Sequence, residues 1–271
     1  DRGRIGIAEG IETALAARLS QAADDLQVRF QIAFWCEDIG TYALALDGDK
    51  KPCKVLTSNA GHALFTDIAT PASAQKVVAS LMRRTSFSGW GIRTVAHSEQ
   101  RHNPMSYHNG SVWPHDNALI ALGFDRYGFK AEAAALFEGL FAAVGYQQDR
   151  RLPELFCGFD RQHEHYAIPI TYPVSCSPQA WAAGALPYLL QILLGMRPDA
   201  ANRRLVLRPY LPVGLEHVHL HGIRIGDQVV TLDIHGHGTE VSVDARQSHG
   251  VTVVVEKPSV PLSPEQAARQ S

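Results

Sequence analysis

Between Ser88 and Asn117 the chain reads SGWGIRTVAHSEQRHNPMSYHNGSVWPHDN, a run of aromatics, amides, histidines and glycines where a core helix would carry aliphatics. Trp90, Tyr107 and Trp113 offer flat apolar faces, and Arg93, Asn103, His108, Asn109, His115, Asp116 and Asn117 supply donors and acceptors around them. A sugar has the matching chemistry: C–H faces that stack on rings, and a rim of hydroxyls that need fixed hydrogen-bond partners. A long surface loop with helix-capping residues is the plainer account of any one of these positions, but loops on rigid scaffolds carry most binding and catalysis. Further along, Glu154 lies in RRLPELFCG, between Pro153 and an aromatic-glycine segment, where two apolar helices are joined. Hydrolysis of a glycosidic bond needs two carboxyl groups, one to protonate the leaving oxygen and one to activate water or attack the sugar. Glu154 is the strongest candidate for one of them. Asp116 in WPHDN and Asp38 in CEDIG are the best remaining acids. Asp116 stands where a helix begins, so it suits binding of sugar hydroxyls or of backbone amides better than proton transfer. Trp181, on an apolar helix after Ser177-Pro178, can be a ring platform or core, and Trp35 reads as core.

Other reactive side chains are less pointed. Cys36, Cys53, Cys157 and Cys176 are widely spaced, with no C-x-x-C pair for zinc or redox work, so reduced thiols are expected. His217, His219 and His221, then His235 and His237, alternate along expected strands and could share one sheet face. No carboxylate stands at a recognisable ligand spacing to them, and neither a metal nor a cofactor is expected.

The elements that must hold these residues follow from periodicity. Leu15, Leu19, Leu26 and Phe30 recur at helical spacing with charges between them, which predicts an amphipathic helix from Ile11 to about Trp35. A short helix is expected over Asn59 to Ala69, and another opens at Pro71 and runs to Met82. Trp113-Pro114 opens a helix that Gly128 ends, and Lys130 to Val144 and Gln179 to about Leu194 are apolar on most faces, as buried helices are. Past Pro198 the texture becomes that of strands and turns: Arg204 to Arg208, Glu216 to His221, Val229 to His235, Glu240 to Asp244 and Val251 to Glu256. The expected organisation is a helical part over 1–202, a small antiparallel β module over 203–258 and a frayed tail over 259–271.

Several long segments in order, FWCEDIGTYALALDGDKKP, SNAGHALFTDIA, GWGIRT, NPMSYHNGSVWPHDNALIA, LPELFCG and YPVSCSPQAWAAGA, resemble the C-terminal catalytic region of bacterial amylo-alpha-1,6-glucosidases, the glycogen debranching enzyme family. The resemblance covers nearly everything from about Phe34 to about Leu211. It implies an (α/α)6 toroid of the six-hairpin glycosidase type that cleaves α-1,6-glucosidic branch linkages of glycogen or limit dextrins with two carboxylic acids. Glu154 matches the position of the general base. The partner acid of the family is an aspartate in a Trp-containing motif upstream of Asp1, so the chain is expected to be N-terminally truncated, with about half of the twelve toroid helices, and inactive by itself. A carbohydrate-binding fragment without catalysis, or another α-glycoside hydrolase on the same toroid, are the alternatives.

Composition agrees with a neutral partner. With 25 basic and 27 acidic residues the net charge is −2, which gives no field to steer nucleic acid or anionic membranes. No apolar run approaches the roughly 20 residues that span a bilayer, and DRGRIGIAEG has no signal-peptide core, so a cytoplasmic location is expected. An α-glucan or oligosaccharide is the expected partner, with neither nucleic acid nor membrane. IAEGIETALAA resembles the opening motif of toprim domains and LALDGD offers a D-x-D, a remote alternative opposed by the continuous helix that follows and by the net charge.

Overall fold

The computed structural model of the chain describes residues 13–147, 149–161, 168–247, 250–258 and 260–261. The start of the IAEGIETALAA segment, and all but residues 260–261 of the expected tail, lie outside them. Among the described residues there are six helices: α1 (Thr13–Phe34), α2 (Ala60–Phe65), α3 (Pro71–Leu81), α4 (Pro114–Arg126), α5 (Lys130–Val144) and α6 (Ala180–Leu193). The short strands β1 (Trp35–Cys36) and β2 (Thr41–Tyr42) follow α1 as an antiparallel pair. The expected starts have their physical causes in place. Pro71 occupies the first turn of α3 and Thr70 caps it, its Oγ1 accepting from the Ser73 amide at 3.2 Å. Pro114 also stands in the first turn of its helix, α4, with Asp116 in that turn and no side-chain cap from Trp113.

α4 is the centre of the helical layer, packed against α2, α5 and α6. Its approach to α2 is close because each helix turns a glycine to the other. A Cβ on Gly61 would come within 2.7 Å of Ile120, and one on Gly123 within 2.8 Å of Leu64. His62 of α2 then reaches Asp116 of α4, Nε2 to Oδ1 at 2.5 Å. The far ends of α4, α5 and α6 meet at Lys130. Its buried ammonium donates to the carbonyls of Ile192 and Leu193 at 2.8 and 3.5 Å and pairs with Asp125 at 2.6 Å. One cation thus adds to the bonds that the Gly195 and Tyr210 amides make to these carbonyls, at the end of α6 where its dipole is negative. Helix α1 is less covered: Phe30 and Phe34 pack on Tyr42 and the core, whereas Leu19, Leu26, Val28 and Ile32 are exposed.

The β module holds two three-stranded sheets. One is the antiparallel meander of β5 (His217–Ile225), β6 (Gln228–His237) and β7 (Glu240–Gln247). The other has the order β3 (Arg197–Asp199), β4 (Arg204–Leu207), β8 (Thr252–Val255), and β4 pairs with β8 in parallel. The module is therefore mixed rather than antiparallel, a correction to the sequence expectation. Its cause is the intervening meander, which is long enough to carry the chain back and start β8 from the same end as β4. Val218, Val230, Leu232, Ile234 and Leu205 form the module's own core, which meets the helical core at Leu190 and Leu215.

On the meander's other face the register sets His219 opposite Asp233, and His217 opposite His235. Asp233 is buried there, with His219 Nδ1 at 2.6 Å, His217 Nε2 at 3.5 Å and Arg246 Nε at 2.5 Å from its carboxylate oxygens. A carboxylate does stand beside these histidines, contrary to the reading from spacing alone, because cross-strand pairing brings together positions that are 14 apart in sequence. These partners, His219 first, hold the Asp233 carboxyl below the usual carboxylate range. No group of three or more His, Cys, Asp or Glu among the described residues has the geometry to hold a metal ion.

Two predictions follow from the contacts around α4. Lys130→Met leaves the Asp125 carboxylate unpaired where little water reaches it, and should cost about 3 to 5 kcal/mol in urea unfolding. Adding Asp125→Leu should restore most of that. The hydrogen bond to Asp116, opposed by burial, raises His62 above the ordinary imidazole value. Its stabilising effect is then fully present below about pH 6.5 and fades as pH rises through the raised folded value. The melting temperature of Asp116→Asn should accordingly fall furthest below wild type at pH 5 to 6, with the gap narrowing toward pH 9.

Candidate active site

Four non-adjacent segments pair edge to edge above α4. Isolated bridges join Arg93 to Val112, Val112 to Phe156, and Phe156 to Thr171, so the loop before α4 and the two flanks of the 154–176 connection lie side by side. Val112 and Phe156 exchange both backbone bonds, at 2.9 and 3.1 Å. This alignment puts Trp113 just past one strand-like segment and Glu154 just before the next. Glu154 is fixed further by its own amide, which donates to the Cys176 carbonyl at 2.9 Å.

Arg93 is the staple of this arrangement. It is 2% exposed, and its guanidinium donates to the Gly158 carbonyl at 2.6 Å, to the Arg84 carbonyl at 3.0 Å and to Asp160 at 2.5 Å. Gly158 crosses Gly110 so closely that a Cβ on it would stand 1.7 Å from the Gly110 carbonyl oxygen. Asn117 is also internal: Oδ1 accepts from the Ile92 amide at 2.6 Å, and Nδ2 donates to the carbonyls of Ile92 and Trp113. Trp90 is buried between Arg161, stacked 4.7 Å from its ring, and the edge of Tyr146. Arg93, Asn117 and Trp90, expected to line a ligand, are thus placed in the framework beneath the loop. The sequence pattern does not separate such residues from lining residues, because both are polar or aromatic within one loop.

The remaining expected residues come together. Tyr107 lies edge-on to Trp113 at 4.9 Å and to Tyr172 at 5.5 Å, and His108 stacks parallel to Trp113 at 5.9 Å. Trp113 in turn meets the edge of His115 at 5.5 Å, and its indole N–H donates to Ser111 Oγ at 2.9 Å. His115 stacks on Trp181 at 4.2 Å. Trp181 is 62% exposed, so only one of its faces is covered. Asn109 is exposed. Asp38 lies elsewhere, exposed in the β1–β2 turn and paired with Lys54 at 2.8 Å.

Glu154 sits against this aromatic wall. Tyr107 is near enough that interaction with Glu154 raises its pKa. Gln179 Nε2 donates to Glu154 Oε1 at 3.1 Å, and the Cys176 amide stands 3.5 Å from Oε2. His115 is 7% exposed, and burial lowers its pKa, so it is a neutral imidazole at neutral pH. His115 Nδ1, Asp116 Oδ2 and Gln179 Oε1 are all shut from solvent without a hydrogen-bond partner among the described residues. Buried polar atoms are otherwise almost always bonded. A carboxylate flanked by a phenol, an amide and a neutral imidazole, within an aromatic wall, can accept a proton and bind hydroxyl groups. Sequence reading missed Gln179, His62 and Tyr172. Gln179 had one visible signal: it is the last polar residue before a long apolar helix.

Solved structures similar to the chain include a rhamnosidase, a mannosylglycerate hydrolase and a trehalase. A GH78 family rhamnosidase of Bacillus sp. GL1 superposes with a TM-score of 0.58 at 13% identity, over 90% of this chain and 23% of that one. That likeness extends through the helices into the β module and concerns the fold. The GH63 mannosylglycerate hydrolase from Thermus thermophilus in complex with glucose is 22% identical over 60% of this chain, with a TM-score of 0.48. The neutral trehalase Nth1 from Saccharomyces cerevisiae is 16% identical over 65%, with a TM-score of 0.49. The chain spans 38% of the length of that hydrolase and 30% of that trehalase. No curated protein matches the chain. The model of the mannosylglycerate hydrolase MGH1-like glycoside hydrolase domain matches residues 5–165, more than half of the chain and inclusive of Glu154 and the loop before α4, and the chain therefore belongs to the MGH1-like glycoside hydrolase family.

Proposed function

We propose that this chain supplies the general base and much of the sugar-binding wall of an inverting α-glucosidase of the glycogen-debranching type, acting on α-1,6-linked glucose at branch stubs. The observation that carries this reading is Glu154: one carboxylate, hydrogen-bonded by Gln179 and close to Tyr107, on an aromatic wall beside buried polar atoms that have no partner among the described residues. Membership of a glycoside hydrolase family supports the reaction class. The linkage rests on the sequence resemblance to debranching enzymes. In this reading the six helices belong to an (α/α)6 toroid, and a second carboxyl group serves as the general acid. The acid then stands roughly 6.5 to 9.5 Å from Glu154, leaving room for water. The protein acts in the cytoplasm on a neutral α-glucan and uses neither metal nor cofactor. Trp181 and Trp113, with Tyr107, His108, Asn109, His115 and Asp116, hold the sugar.

Water attacks the anomeric carbon from the face opposite the leaving oxygen. Glu154 takes one of its protons, the glycosidic bond breaks, and the general acid protonates the departing oxygen. A neutral His115 suits the site because it can both donate to and accept from hydroxyls.

Glu154→Gln in the full-length protein should lower kcat on isomaltosyl and limit-dextrin substrates by about 10² to 10⁴-fold while leaving oligosaccharide affinity nearly unchanged. Wild-type turnover in that variant removes Glu154 from the reaction. The family's name also favours mannosylglycerate as a trial substrate, and faster hydrolysis of it than of any α-1,6-glucoside would replace the debranching assignment. Trp181→Ala should weaken maltooligosaccharide binding by about 1 to 2 kcal/mol, by analogy with bases stacked on aromatic side chains. Equal calorimetric affinities for variant and wild type would exclude Trp181 as a platform.

A further inference from the structure

Gln179 occupies the N-cap position of α6, where short polar side chains usually accept from the helix's first amides, yet it makes no capping bond. Its side chain turns instead to Glu154, with Nε2 3.1 Å from Oε1. The orientation of the amide follows from charge. An ionised carboxylate has only acceptors, so the flipped amide would set oxygen against oxygen. With nitrogen toward Glu154, the amide oxygen is left as an acceptor, and it is buried without a partner among the described residues. The other carboxylate oxygen faces the Cys176 amide at 3.5 Å, from the same chain segment. One segment thus fixes the plane of the carboxylate and presents a second acceptor beside it.

We infer that Gln179 is a positioning residue for hydrolysis: its amide N–H aims Glu154, and its Oε1 accepts the hydrogen of the attacking water that Glu154 does not take. This rests on the reading of Glu154 as the general base. Water has two hydrogens, and two acceptors held by one residue pair orient its lone pair toward the anomeric carbon. The water oxygen forms the new bond to that carbon, one proton passes to Glu154, and the bond to the leaving group breaks with its electron pair. The second hydrogen stays on the product hydroxyl. No other group of the described residues donates from a side-chain amide to Glu154.

α-Glucosyl fluoride isolates this half of the reaction, because fluoride departs without needing a proton. Fluoride release by the full-length protein should fall in kcat by about 10- to 100-fold in Gln179→Met, which keeps length and loses both hydrogen-bonding groups. KM should stay within about threefold. Gln179→Asn, which keeps both groups on a shorter stem, should lie between Met and wild type, and all three should melt alike. A kcat unchanged in both variants, or a loss confined to KM, overturns the inference. If Glu154→Gln releases fluoride at the wild-type rate, or wild type releases none, the reading of Glu154 fails and the inference with it. An inactive Glu154→Gln beside a normal Gln179→Met defeats the inference alone.

Discussion

A buried guanidinium holds the candidate site together. Arg93 gathers the carbonyls of Gly158 and Arg84 and the carboxylate of Asp160 around one guanidinium. Removing that charge from water is costly, and the cost is offset only while every partner stays in place. The loop before α4 and the segment after Glu154 therefore cannot shift independently. The ladder from Arg93 through Val112 and Phe156 to Thr171 transmits this constraint to Glu154 and to the aromatic wall. The charge expected to bind ligand is the one that fixes where the candidate site residues stand.

Elsewhere the same division recurs between groups that build and groups that face outward. Lys130 and Asp125 clamp the ends of three helices far along α4 from the site. His62 and Asp116 tie α2 to the beginning of α4, so the helix that carries His115 is fixed at both ends. Asn117, one residue past Asp116, points inward and bonds the loop that its helix supports. Consecutive residues at a helix start thus take different duties because each turns about 100° from the last.

Helix positions were legible because their causes are local. Pro71, Pro114 and the apolar periodicity of α5 mark their starts and faces without knowledge of neighbours. The strands of the meander were legible for the same reason. The parallel pairing of β4 with β8 was not, since direction depends on where a long excursion brings the chain back. In the site, Glu154 and the Tyr107–Trp113–His115 grouping were legible from residue type. The separation of Trp90, Arg93 and Asn117 from that grouping was not, because one loop alternates between an inner and an outer side with no fixed period. Gln179 and His62 became visible only through partners 25 and 54 positions away.

The crossing of Gly158 over Gly110 has a consequence for how these loops can vary. Slipped by one position, the Gly158 chain would bring Cys157 or Phe159 to the crossing with a Cβ that it rejects, and the Gly110 chain would bring Asn109 or Ser111, whose Cβ would press on the Asn103 carbonyl oxygen at 2.8 Å. The crossing therefore acts as a tooth in a ratchet. The spacing from Gly158 back to Glu154, and from Gly110 forward to Trp113, is held in whole-residue steps. Insertions and deletions among homologues should gather outside these two short spans, where a change of length leaves the distance from carboxylate to aromatic wall untouched.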